Sequence, residues 1–192
     1  MAPHVKGLVF DAALWRELGP RMMELEQAEW GGKAFSLREM RWQLTNPDAT
    51  VMTTWDGDSL IGFAVAGPEW TKGRASLLNV LIEPAYRGQG LVWPLMAALE
   101  RELATRGIRE LEIDARVENG FADAIERRYG TRSAVIEGDH PSPYGPQRTI
   151  RVTLARSAAP PRRTRAAPRS RTARPSGAGR GRPATRTRPP SR

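Results

Sequence analysis

Residues 75–83, ASLLNVLIE, form a nearly continuous apolar run, the pattern of a strand covered on both faces. Leu91, Leu95, Leu99 and Leu103 follow at a spacing of four and mark the buried stripe of a helix. Gly107 ends that helix, and ELEIDA at residues 110–115 alternates as another strand. A strand, a long helix and a strand in direct succession are most simply two parallel neighbours joined by a right-handed crossover. The chain must therefore build a sheet that contains a parallel pair, with at least one helix on its face.

The remaining elements extend that unit in both directions. VKGLVF at residues 5–10 reads as a first strand, and Leu14, Leu18, Met22 and Leu25 mark a helical face broken or kinked around Gly19 and Pro20. Ser36 with Glu39 three residues on is a capping box that opens a second helix through about Thr45, where NPD stops it. ATVMTTW and SLIGFAVAG flank DGD as a hairpin, with Asp56 and Gly57 as its turn. Residues 120–129 read as a short helix, SAVIE as a strand, and Ile150, Val152 and Leu154 share one face of a closing strand. The expected fold is α/β (α+β), a mixed central sheet with flanking helices in the order β-αα-β-β-β-α-β-α-β-β.

Charge divides the chain at the end of that pattern. From Arg156 onward there are twelve arginines and no lysine or acid, which leaves 18 basic and 21 acidic side chains in residues 1–155, a net charge of −3. The segment 156–192 offers no apolar side chain larger than alanine, too little burial to offset the entropy of ordering it. It is expected to be a disordered tail after one domain spanning 1–155. The absence of cysteine and the presence of only His4 and His140 argue against a thiolate nucleophile, a Ser-His-Asp triad or a multi-histidine metal site. No apolar signal region or membrane-length run is present, so the expectation is a cytoplasmic monomer or homodimer without membrane contact.

Between the apolar strand and the leucine stripe stands EPAYRGQGLVWPL, residues 83–95. A helix N-terminus presents unpaired N–H groups and a partial positive charge, and glycines before it let those groups approach an anion. Gly88 and Gly90 fit that role and Arg87 adds a full charge, so the turn is expected to hold a phosphate; a tight turn that binds nothing is the competing reading. Ile82, Pro84, Tyr86, Arg87 and Gly90 occupy the places of the strand–V-x-P–x-[YF]-[QR]-x-x-G-x-[GA] pattern. That stretch resembles motif A of the GNAT superfamily of CoA-dependent N-acetyltransferases, and is most similar to the form found in ribosomal-protein alanine acetyltransferases. The resemblance continues with Asn119, Ala122 and Gly130 in LEIDARVENGFADAIERRYG, and the element order over residues 5–155 is similar to that fold.

The resemblance implies acetyl-CoA as co-substrate, without a metal. The amides of Gly88, Gln89, Gly90, Leu91 and Val92 would cradle its pyrophosphate. The backbone edge of Val80, Leu81 and Ile82 would pair with pantetheine as an added strand, and Asn119 would hydrogen-bond the same arm. The implied reaction is transfer of an acetyl group to a primary amine, of a small molecule or a peptide, by direct attack. Asp114, five residues before Asn119, takes the place of a glutamate base. It shares a strand face with Glu112, and Glu24, Glu26 and Glu29 add to an acidic field that would attract an amine.

Two positions depart from the family pattern. The tyrosine that protonates the CoA sulfur is replaced by Glu126, so Glu126 or water becomes the proton source, and Tyr129 reads as core packing. Val92 stands where glycine or alanine admits the pyrophosphate, and Pro94 is compatible with the first helical turn only if the helix begins near Leu91. Trp30 and Trp42 flank the segment that would cover the acceptor, either as an aromatic wall or as ordinary packing. The alternative function is a catalytically degenerate protein of this fold that binds CoA or, through its basic tail, nucleic acid or the ribosome.

Overall fold

The computed structural model describes residues 2–155; the expected tail lies outside them. Seven strands and four α-helices follow the expected order: β1 (His4–Leu8), α1 (Ala12–Trp30), α2 (Leu37–Thr45), β2 (Thr50–Asp56), β3 (Ser59–Pro68), β4 (Arg74–Ile82), α3 (Val92–Thr105), β5 (Glu110–Arg116), α4 (Phe121–Tyr129), β6 (Ser133–His140) and β7 (Gln147–Thr153). The strands form one sheet in the order β1-β2-β3-β4-β5-β7-β6. Every neighbouring pair is antiparallel except β4 and β5.

Period-two alternation divides the sheet's apolar side chains between two cores. Met52, Ala64 and Ala66 join Leu95, Met96, Leu99 and Leu103 of α3 and Ala122, Ile125 and Tyr129 of α4. Val51, Phe63 and Val65 join Met22 and Leu25 of α1 and Met40 and Leu44 of α2. β3 is buried on both faces from Leu60 to Gly67, hence its uninterrupted apolar run.

Local chemistry sets the boundaries. Ser36 and Glu39 close the expected capping box. Asp11 Oδ1 accepts from the N–H groups of Ala13 and Leu14, both at 2.8 Å, and starts α1; the first strand therefore ends at Leu8, before Phe10. Of the break or kink expected at Gly19 and Pro20, the break is absent, because α1 runs through both. An interior proline costs ~3 kcal/mol, and the buried face of Trp15, Met22 and Leu25 offsets it. Gly19 leaves room for the indole, since a Cβ there would stand 2.8 Å from Trp15. In the hairpin, Asp56 pairs with Ser59, so the turn residues are Gly57 and Asp58 rather than Asp56 and Gly57.

One irregularity places the site. β4 and β5 pair only from Arg74–Glu110 to Ser76–Glu112. Immediately afterwards, Asn79 pairs with Val65 while Leu77 pairs with Ala66, so Leu78 is an extra residue and β4 carries a bulge. A bulge bends its strand, and here β4 turns away from β5, leaving residues 77–82 without a partner on that side.

Candidate functional site

The splay opens a cavity of about 650 Å³ lined by β4, the turn before α3, the end of β5 and the segments over its mouth. That volume suits a small-molecule site. Val80, Leu81, Ile82, Arg87, Gly88, Gly90, Leu91, Val92, Asp114 and Asn119 all line it. Gln89 and Glu126 do not.

The direction of the β4 edge follows from its register with β3. Ile82 stands opposite Gly62, and Glu83 N–H donates to Ile61 C=O at 2.8 Å. Those partners flank the pair, so Ile82 and Gly62 form a non-hydrogen-bonded pair whose main-chain groups face away from each other. Val80, two residues earlier and opposite Ala64, has the same orientation. The amides and carbonyls of Val80 and Ile82 therefore face the splay. Arg87 Nε reaches Ile82 C=O at 2.9 Å from that side.

At the wide end, Gly88 (φ 75°) and Gly90 (φ 73°) adopt the left-handed conformation, which side chains disfavour. Among the described residues, the N–H groups of residues 88–92 donate to no protein acceptor. Such a run of free amides at a helix start is chemically suited to receive an anion. α3 begins at Val92, so Pro94 falls in the first turn, where its missing N–H leaves no helical bond unmade. Val92 lines the cavity and packs partly against the core.

The charges nearby are largely paired. Glu29 accepts from Arg87 at 2.5 Å and from Arg116 at 3.0 Å, so the Arg87 guanidinium braces the end of α1 as well as the turn. Arg116 also lies 4.8 Å from the Trp30 ring centroid. Of the other acids expected to form an attractive field, Glu24 pairs with Arg21 and Glu112 with Arg151. Glu26 is buried, accepting from Asn79 Nδ2 at 2.7 Å and from Phe35 N–H at 3.1 Å.

Asp114 differs from these acids. It is exposed at the cavity wall, and its Oδ1 accepts from Thr149 Oγ1 at 2.7 Å, with no cation paired to it among the described residues. Asn119 accepts from Phe121 N–H at 3.0 Å in the turn before α4, which leaves the Asn119 amide group as a donor. Glu126 is held in an ion pair by Arg148, which also engages Asp123 and Asp139. Tyr129 donates to Glu100 at 2.6 Å, and burial, with that bond, pushes its phenol far above the ordinary range.

Sequence reasoning missed Tyr144, Arg116 and Phe35, all of which line the cavity. Tyr144 meets Trp30 edge-on at 5.1 Å and Phe35 at 6.5 Å. Trp30 thus belongs to an aromatic wall, whereas Trp42 is exposed and outside it. The proline-flanked dipeptide Tyr144-Gly145 was a local signal for a shaped loop, but nothing local indicated what it faces.

The family model for the acetyltransferase (GNAT) family matches residues 15–129. The [ribosomal protein bS18]-alanine N-acetyltransferase of Haemophilus ducreyi (strain 35000HP / ATCC 700724) is 30% identical over 89 residues, which are 46% of this chain and 60% of that protein. The match therefore spans less than two thirds of that relative. Among solved structures, the ribosomal-protein-S18-alanine N-acetyltransferase from Escherichia coli superposes with a TM-score of 0.62 at 17% identity, covering 81% of this chain and 97% of that one. The PaiA N-acetyltransferase from Thermoplasma acidophilum, in complex with coenzyme A, gives 0.56 at 14% identity, covering 80% and 100%. At these identities the superpositions establish the fold.

Proposed function

The chain belongs to the acetyltransferase (GNAT) family, and from that premise we propose that it transfers an acetyl group from acetyl-CoA to a primary amine in the cavity between β4 and β5. The observation that carries this reading is the open β4 edge at Val80 and Ile82, continuous with the free amides of residues 88–92. One side of the splay offers an extended arm the hydrogen bonds of a strand, and the end offers a diphosphate a ring of donors. The residues present therefore fit the cofactor.

Acetyl-CoA supplies an activated thioester; the chain supplies position and proton handling. Gly88, Gln89, Gly90, Leu91 and Val92 would bind the pyrophosphate through their N–H groups, and Arg87, already braced by Glu29, would fix the turn. Val80, Leu81 and Ile82 would hold the pantetheine arm, assisted by the free amide group of Asn119. A β4 N–H that faces the splay can donate to the developing oxyanion.

The acceptor must be neutral to attack, although an alkylammonium has a pKa near ~10. Asp114, unpaired by any described cation and open to water, would take that proton directly or through one water. Glu126 stands outside this arrangement. The acceptor class suggested by the Haemophilus ducreyi and Escherichia coli proteins is an N-terminal alanine of a ribosomal protein, and the half-buried aromatic wall of Trp30, Phe35 and Tyr144 is a surface on which a peptide end can pack.

The test is thiol release from acetyl-CoA with an alanine-initiated peptide, an aminoglycoside and simple alkylamines, alongside calorimetric titration with CoA. Heat of binding and acceptor-dependent thiol release are expected. Binding without thiol release would favour a degenerate CoA-binding protein, and absence of both would refute the cofactor assignment.

A further inference from the structure

Glu29 is an anion in an unfavourable place. It stands in the last turn of α1, where the helix dipole disfavours negative charge, and its side chain is only 14% exposed. Two guanidiniums compensate it, one on each oxygen: Arg87 Nη2 donates to Oε2 at 2.5 Å and Arg116 Nη1 to Oε1 at 3.0 Å. One carboxylate between two such cations leaves a surplus of positive charge, and all three residues line the cavity.

The two arginines belong to different walls of that cavity. Arg87 precedes the free amides of residues 88–92, and its Nε also donates to Ile82 C=O at 2.9 Å. Arg116 ends β5, and its guanidinium carbon lies 4.8 Å from the Trp30 ring centroid. Its Nε is buried without a hydrogen-bond partner, so among the described residues Glu29 is the only group to which its guanidinium hydrogen-bonds. The direction of Arg116 is therefore set by Glu29 and the indole, and the negative charge that Glu29 presents to Arg87 is set in turn by Arg116.

We propose that Arg116 is a positioning residue for the cofactor, acting through Glu29, an assignment that rests on the CoA-binding reading above. A carboxylate shared by two guanidiniums neutralises neither of them completely. Arg87 is thus held in place by Glu29 and still carries positive charge toward a diphosphate lodged on the amides of residues 88–92. Without Arg116 the whole of the Glu29 charge would fall to Arg87, and the resulting neutral pair would attract a diphosphate less. The Trp30 wall and the cofactor turn then form one electrostatic unit. A ligand that packs on Trp30 and moves Arg116 alters the affinity for CoA, and by reciprocity bound CoA alters the affinity for that ligand by the same factor.

The test is a double-mutant cycle on CoA binding: wild type, Arg116→Met, Glu29→Gln and the double variant, each titrated calorimetrically at one ionic strength, with urea midpoints to verify folding. Methionine keeps an apolar stem on Trp30 and removes the charge; glutamine keeps an oxygen for either guanidinium. Arg116→Met should weaken CoA binding about 5- to 20-fold in the wild-type background and less than about 2-fold in the Glu29→Gln background. Glu29→Gln alone should bind CoA no more weakly than wild type, because it removes an anion beside the diphosphate. Arg116→Lys, which retains the charge, should stay within about 2-fold of wild type. If Arg116→Met does not fold, Arg116→Gln replaces it in the cycle. Equal weakening in both backgrounds overturns the assignment, since Arg116 would then act on the diphosphate without Glu29. An unchanged affinity in the wild-type background overturns it too, as does a lysine variant as weak as the methionine one. Glu29→Gln that binds as weakly as Arg116→Met would reduce the pair to a structural brace and has the same consequence. Wild-type protein that gives no heat with CoA refutes the cofactor reading itself, and the assignment falls with it.

Discussion

A carboxyl group buried to 1% exposure, as Glu26 is, persists because both its oxygens are engaged, by Phe35 N–H and Asn79 Nδ2. Desolvation nevertheless pushes it above the usual 4.5, only partly opposed by those bonds. The folded state then holds the proton more tightly than the unfolded chain. The stabilising contribution of Glu26 is fully present below that usual value and is lost as pH rises through the folded value. Urea midpoints taken from pH 4.5 upward should therefore show wild type losing stability relative to Glu26→Gln as pH increases. A difference that stays flat with pH would contradict the shift. At Asp114 the expectation concerns rate. Asp114→Asn retains an oxygen for Thr149 but cannot accept the amine's proton, so kcat should fall about 10²- to 10⁴-fold while CoA affinity holds. Steady-state kinetics with the best acceptor, paired with calorimetry, separates that outcome from a loss of binding.

At the scale of elements, the bulge at Leu78 and the start of α3 at Val92 together shape the cavity, one by bending β4 off β5 and the other by ending the turn. The strand–turn–helix block was legible in the sequence because residues 75–105 carry their pattern contiguously: an apolar run, two glycines, a leucine stripe. The bulge was not, because an extra residue in β4 exists only relative to the register of β3. The continuity of α1 through Pro20 was likewise hidden, since it depends on packing against the sheet. Val92 tests how tightly the turn is tuned. Its methyls line the cavity and pack on the core, so Val92→Gly should widen access to the free amides and tighten CoA binding by calorimetry. The same change should lower stability by about 1–2 kcal/mol through helix propensity and lost burial, measured by urea denaturation. Weaker binding by the variant would mean that the valine supports the turn rather than crowding it.

Across the whole molecule, the expected residues that the cavity gathers, Gln89 apart, are near one another in the chain or fixed by motif spacing, within Val80 to Val92 and from Asp114 to Asn119. The pairings that were missed join distant segments: Arg116 and Glu29 are separated by 87 positions and Glu26 and Asn79 by 53. Hydrophobic periodicity specifies faces, but it does not say which charged side chains will meet across them. No helix among the described residues is long and apolar enough to cross a membrane. Charge is the other molecule-scale property, and it is separated along the chain. The whole carries +9, of which residues 156–192 contribute twelve positive charges, so removing them leaves 9 − 12 = −3. Arginines at that density neutralise several phosphates and make association with a polyanion steeply dependent on salt. Deletion of residues 156–192 should abolish salt-sensitive retention on immobilised RNA and leave the CoA binding isotherm unchanged, because the cavity is built from residues 29–147. Retention that survives the deletion would place the polyanion contact on the folded domain, and a lost isotherm would make the basic segment part of the cofactor site.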